Sequence, residues 1–217
     1  MNSEITISAD ELFYLGKLMN AKYIDYAYIV CLNDSADDFQ IREKAVKKSL
    51  IKKEFVFESF SGNIDIDESV TSLLLPVFNG KKEVSLNLCT IQDQAKADVF
   101  KFHFLHEKIT YVKAENGLLK LKAIQQDEIE RIVSEIFFDE SEFTDKSMSV
   151  VIELPNVSAL FSAKSLVLEG HSVVYVFVKS EGIWYIDKGH NVFESIQREE
   201  LIDLVVRLFK GCAPVRC

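Results

Sequence analysis

The chain has 217 residues, 48% hydrophobic and 27% charged, with a net charge of −9, which is enough for one large domain or two small ones. The acidic balance argues against non-specific nucleic-acid binding, which needs a basic surface to displace counterions, and against adhesion to an anionic membrane. No apolar run approaches the roughly 20 residues that span a bilayer, and "MNSEITISADE" has neither the basic start nor the apolar core of a secretory signal, so a cytoplasmic protein is expected.

The first element is a strand running into a capped helix. Ser8 and Glu11 form a capping box, and Ile7 and Leu12 a hydrophobic staple. The helix is expected from about Asp10 to Asn20, burying Leu12, Leu15 and Met19. "YIDYAYIVCL" is ambiguous between strand and helix. A helix near Asp38 to Lys53 buries Ile41, Ala45, Val46 and Leu50. The next starts at Asp67 and buries Val70, Leu73, Leu74, Val77 and Phe78, with Pro76 ending or kinking it. "VSLNL", "VFKFHFL", "ITYVK" and "LLKLKA" follow with short turns, as in an antiparallel meander. Glu115-Asn116-Gly117 is the clearest turn among them. A helix follows, then the acidic "FDESEFTDKS", Phe138 to Ser147, the expected hinge between two halves. Beyond it the pattern predicts a strand from Ser149 to Leu154 and a helix from about Asn156 to Leu168. "HSVVYVFVK" and "GIWYID" form a hairpin, and a last helix closes the chain. Val173 to Val178 is apolar on both faces, which predicts a central strand covered on both sides.

Two stretches repeat. Ile109, Tyr111 and Val112 match Ile183, Tyr185 and Ile186 at an offset of 74. After the turn the offset is 72: "AIQQDEI" matches "SIQREEL", and Ile129, Ile132, Val133, Ile136 and Phe137 match Leu201, Leu204, Val205, Leu208 and Phe209. A repeated strand–turn–strand–helix unit restricts the fold more than any other feature. The expected class is α+β, with mainly antiparallel sheet packed with helices in two quasi-two-fold-related halves. Residues 1–140 form the first half and 148–217 the second, within one compact domain.

Chemistry-bearing residues are sparse. His103 and His106 could be a metal pair, but an odd spacing on a strand points them to opposite faces, which favours two ordinary polar residues. His171 and His190 have no visible partner. Cys212 and Cys217 lack the second pair of a zinc site, and with Cys31 and Cys89 read as free thiols in a reducing compartment. Arg42, Lys44, Lys47, Lys48, Lys52 and Lys53 read as the solvated face of an amphipathic helix, with a patch for an acidic partner as the alternative. Asp65, Asp67 and Glu68 favour a helix N-terminus through its dipole, with a catalytic carboxylate pair as the remote alternative. Trp184 and Tyr185 either fill a core or offer an aromatic binding strand, and at least one of Phe137, Phe138 and Phe143 is expected to be exposed. There is no phosphate-cradling glycine loop, nucleophile elbow or zinc-protease helix. No catalytic residue, metal or cofactor is expected, and the chain does not read as an enzyme.

The order of elements carries a resemblance. "ITISADELFYLGKLM", "IDIDESVTSLLLPVFNGKKEVSLNL", "VFKFHFLHEKITYVKAENGLLKLKAI" and "QQDEIERIVSEIF" follow one another as in the first half of EspG-like proteins, the cytosolic chaperones of ESX (type VII) secretion systems in Gram-positive bacteria. The chain resembles that family over most of its length, by pattern rather than by an invariant motif. The resemblance implies a non-enzymatic cytoplasmic chaperone that binds a secreted protein substrate, of helical-hairpin or toxin type, and masks its apolar surface until export. It implies no nucleic acid and no membrane insertion, and a monomer or homodimer. The loop "CTIQDQAKAD" occupies the position of the family's binding hairpin, so Ile91, Gln92 and Gln94 are the expected partner-binding residues. The alternative is an immunity protein that neutralises a cognate toxin, for which negative charge would steer binding to a basic nuclease.

Overall fold

A computed structural model describes residues 4–29, 39–91, 96–115, 117–144, 146, 148–153, 156–167, 172–189 and 192–210. In chain order the elements are β1 (Glu4–Ser8), α1 (Ala9–Leu18), α2 (Tyr26–Ile29), α3 (Phe39–Lys52), β2 (Val56–Glu58), β3 (Ile64–Ile66), α4 (Glu68–Asn79), β4 (Lys82–Thr90), β5 (Lys96–Leu105), β6 (Lys108–Glu115), β7 (Leu118–Ile124) and α5 (Glu128–Ile136). After a 3-10 turn at Glu140–Glu142 come β8 (Ser149–Val150), β9 (Val157–Val167), β10 (Val173–Ser180), β11 (Ile183–Asp187), β12 (Phe193–Ser195) and α6 (Arg198–Lys210). Ten strands form one antiparallel sheet in the order β1-β7-β6-β5-β4-β9-β10-β11-β12-β8, and β2 and β3 form a separate hairpin. Read from either end, that order pairs β1 with β8, β7 with β12, β6 with β11, β5 with β10 and β4 with β9. This is the two-fold arrangement that the repeat implies, and the fold is α+β.

Contacts gather into two compact units, each discontinuous in sequence: residues 1–81 with 103–124, and 82–102 with 125–217. In the first unit, helix formation begins where the sequence marks it. Ser8 Oγ accepts from the Glu11 N–H at 3.1 Å, and Glu11 Oε2 accepts from the Ser8 N–H at 2.8 Å. Ile7, Leu12 and Leu15 enter a core with Ile5, Leu50, Val70, Leu73, Leu74, Leu119 and Leu121. α4 is capped by Asp67 and buries every residue its spacing marked. It also contains Pro76 and continues to Asn79, so the proline does not end it. The ambiguous "YIDYAYIVCL" supplies α2, whose Ala27 N–H bonds the Asp25 carboxylate at 2.7 Å.

In the second unit α5 packs against α6, and α6 against β9. Phe137 lies edge-on to Phe161 and Trp184, at centroid distances of 4.7 and 5.7 Å, and Phe102 edge-on to Phe209 at 4.8 Å. The helix predicted from Asn156 to Leu168 is instead the strand β9. Val157, Leu160, Phe161 and Leu168 mimic helical spacing, but the residues buried are Ala159, Phe161, Ala163 and Ser165, a period of two. β9 pairs with both β4 and β10, so nine β4 residues find ladder partners along it. The acidic segment expected as a hinge has both flanks in this unit. Its Glu142 accepts from Trp184 Nε1 at 2.9 Å and pairs with Lys179.

The two repeat copies differ in detail. β6 and β7 meet through a tight turn with Gly117 at φ 75°, whereas β11 and β12 are shorter and joined by a longer connection through Gly189. Tyr111 faces Lys122, yet its counterpart Tyr185 faces Ser195, one residue further along the repeat.

Candidate partner-binding face

β4, β9 and β10 present two faces in the second unit, and strand register assigns each side chain to one. Leu86 faces Ala163, which faces Tyr175; Leu88 faces Phe161, which faces Phe177. This face carries the buried Phe161, Phe177, Trp184 and Ile186. On the other face, Cys89 lies opposite Leu160, Asn87 opposite Ser162, Ser85 opposite Lys164 and Glu83 opposite Leu166. Across β9, Leu160 meets Val178, Ser162 meets Val176, and Lys164 meets Val174.

That second face is covered in part, since Val178 and Ser85 on it are buried. Leu160, Leu166 and Val174 are 36%, 39% and 48% exposed. The expectation that β10 is covered on both sides is therefore corrected. The strand is central, with partners on both edges, but Val174 reaches solvent. Solvation of these side chains forgoes the roughly 25 cal/mol per Å² that apolar burial supplies. Several other apolar side chains are exposed, among them Phe60 at the β2–β3 hairpin tip and Phe138 after α5. Those sit at turns, whereas Leu160, Leu166 and Val174 share one face of two adjacent paired strands.

Of the three expected contact residues, Ile91 is described and Gln92 and Gln94 lie outside the described residues. The Ile91 N–H bonds the Ser158 carbonyl at 2.9 Å, which continues the β4–β9 register beyond Thr90 and Ala159. Ile91 thus falls on the same face as Cys89 and Leu160, and it is 47% exposed. Lys164 stands half-buried between Leu166 and Ser162 on β9, and among the described residues it makes no ion pair or side-chain hydrogen bond. Sequence reasoning missed Leu160, Lys164, Leu166 and Val174 because the first three fell in a stretch read as helix.

Several of the remaining candidates have structural partners. His103 is buried and bonded to Tyr28 Oη at 2.8 Å, while His106 occupies a turn at φ 54°. No three His, Cys, Asp or Glu side chains cluster as a metal site among the described residues. His171, His190, Cys31, Cys212 and Cys217 lie outside the described residues. Trp184 and Tyr185 are buried, as is Phe137, while Phe138 is exposed. On α3 and just beyond it, Lys47 pairs with Glu58 and Lys53 with Glu11, while Glu43 takes Lys17 from α1, so much of its charge is matched within the first unit. The Ser69 hydroxyl and the Ser69 and Val70 N–H groups hold the Asp67 carboxyl below the usual aspartate value. Asp139 is lowered in the same way by Ser141. Both are turn and cap geometry rather than paired catalytic carboxylates.

Among the described residues no helix is long and apolar enough to cross a membrane. No protein-family model matches the sequence, and no curated protein matches it. Among solved structures it is similar to the Mycobacterium tuberculosis type VII secretion system chaperone EspG5, seen in complex with a PE25–PPE41 dimer. The TM-score is 0.65 over 98% of both chains, at 8% sequence identity. The resemblance read from element order therefore holds for the fold, over 98% of both chains.

Proposed function

We propose that this protein is a non-catalytic cytoplasmic chaperone that binds a secreted protein substrate of a type VII secretion system and keeps it soluble before export. The observation that supports this reading is the exposure of Leu160, Leu166 and Val174 on one face of β9 and β10, with Ile91 at its end, in a chain that has the fold of EspG5. An exposed apolar surface of this kind is where a soluble protein meets a partner. The EspG5 structure holds a PE25–PPE41 dimer; here the client is a secreted protein of helical-hairpin or toxin type. Covering apolar surface on the client lowers its tendency to self-associate. Ile91, Gln92 and Gln94 form the contact edge. A second reading, an immunity protein, is favoured by the net charge of −9, which suits a basic toxin.

Affinity purification from the native host, with mass spectrometry of co-purifying proteins, tests the proposal. A secreted protein that precipitates when produced alone and remains in solution when co-produced with this chain is the expected result. If no secreted protein co-purifies under any growth condition, the proposal fails. A partner whose isolated toxic domain loses activity on binding transfers support to the immunity reading.

A further inference from the structure

We infer that the outward side of α3 is a docking surface of its own, and that its occupant is an acidic segment of a protein partner, held by Lys44, Lys48 and Lys52. The surface lies within the first unit, and its occupant does not depend on the chaperone reading.

Helical register gives α3 two sides. On the inward side Leu50 is fully buried, Val46 and Ser49 are half-buried, and Glu43 and Lys47 are held by Lys17 and Glu58. Lys44, Ala45, Lys48, Ile51 and Lys52 fall on the other side, and all five are exposed. The three lysines follow at steps of four, which sets them along one stripe at about 6 Å per step. None of them has an ion pair or hydrogen bond among the described residues, since Glu43, Glu58 and Glu11 are taken by Lys17, Lys47 and Lys53. Like charges four residues apart repel one another on a helix, so the charge of this stripe adds nothing to the stability of α3. Ile51, 38% exposed, stands one turn from Lys48.

The surroundings of the stripe select the class of anion. The chain carries a net charge of −9, and the β2–β3 hairpin, which α3 meets through β2, exposes Glu58 and Asp65, with Glu54 exposed before it and Glu68 after it. A nucleic acid or an anionic bilayer extends its charge well beyond three lysines and would run into these carboxylates. A short acidic polypeptide does not. Its carboxylates recur at about 6 Å on every fourth residue of a helix, or at about 7 Å on every second residue of an extended chain. Either spacing matches the lysine stripe. Ala45 and Ile51 offer apolar carbon for the segment to cover, and the exclusion of water there strengthens each ion pair.

The test titrates the full-length protein with labelled synthetic peptides and reads fluorescence anisotropy. One peptide is an alanine helix with Glu at every fourth position, a second alternates Glu with Thr, and each has a counterpart with Gln in place of Glu. At least one acidic peptide should bind about tenfold or more tighter than its Gln counterpart, and added salt should weaken it. Lys44→Gln, Lys48→Gln and Lys52→Gln combined should remove the difference while leaving the unfolding midpoint unchanged, since all three side chains are exposed. Charge reversal of the same three to Glu should instead favour a peptide with Lys in place of Glu. Equal binding of the Glu and Gln peptides, or a difference that survives the triple Gln variant, overturns the inference. Phosphatidylglycerol vesicles and a single-stranded oligonucleotide are titrated alongside; tighter binding of either, lost in the triple Gln variant, overturns the choice of a protein partner. The chaperone proposal stands under every one of these results, because it is read from a co-produced secreted client.

Discussion

At the residue scale, short polar groups decide where helices begin. Glu11 is the most heavily used of them: beyond the capping box, its carboxylate accepts from Ser49 Oγ at 2.7 Å and from Lys53 at 2.7 Å. It therefore ties the start of α1 to the end of α3 and its exit. Ser8→Ala removes only the hydroxyl and should cost about 1 kcal/mol, read as a lower midpoint in chemical denaturation. Asp67 provides a pH test. Its carboxyl is held below the ordinary 3.8 by the Ser69 hydroxyl and by the backbone N–H groups at the start of α4. A depressed carboxylate contributes stability that is complete above the unfolded value and is lost as pH falls through the folded one. Acidification from pH 5 to 3 should therefore lower the melting temperature of the wild type more than that of Asp67→Asn.

At the element scale, aromatic packing and one ion pair fasten the second unit. Phe177 is fully buried beside Phe161, so Phe177→Ala should cost about 3–5 kcal/mol. Glu142 holds the acidic segment after α5 against β10 and β11. Glu142→Ala leaves the buried Trp184 N–H without its carboxylate and should cost about 1–3 kcal/mol. Trp184 is the one tryptophan of the chain, so its emission during denaturation reports this unit directly. A loss smaller than a few tenths of a kcal/mol in the Glu142 variant would show that the segment is held by Phe137 and Phe143 instead.

At the scale of the whole molecule, the two halves share a strand plan and differ in what covers it. In the first unit, α1–α4 lie in sequence between β1 and β4 and supply much of a continuous core. In the second, no α-helix lies between β8 and β9 among the described residues, and Leu160, Leu166 and Val174 on one face of β9 and β10 reach solvent. Repetition with unequal cover suits binding of one asymmetric partner. Replacing Leu160, Leu166 and Val174 together by threonine retains side chains that strands accept. Such a variant should keep its unfolding midpoint within about 1 kcal/mol of wild type. It should also lose its ability to hold the co-produced client in solution. Retention of that ability in a stably folded variant would exclude this face.

Some of this was legible in the residues alone. Ser8, Glu11 and Asp67 mark helix starts through bonds to N–H groups two or three positions away, and the apolar spacing of α4 repeats within a single helix. The repeat at Ile109–Phe137 and Ile183–Phe209 implied a two-fold plan because each copy has a buried stripe that needs a partner. The identity of β9 was not legible. Its local pattern satisfies helix and strand alike, and the choice falls to β4 and β10, whose unpaired backbone groups lie far away in sequence and can be satisfied only by an extended neighbour. The exposure of Leu160, Leu166 and Val174 was hidden for the same reason: a sequence states which side chains are apolar, but whether anything covers them depends on the elements that the rest of the chain can bring to that face. Sequence determined the capped helices and the symmetry of the plan, and tertiary structure alone decided that β9 is a strand and which of its apolar side chains stay exposed.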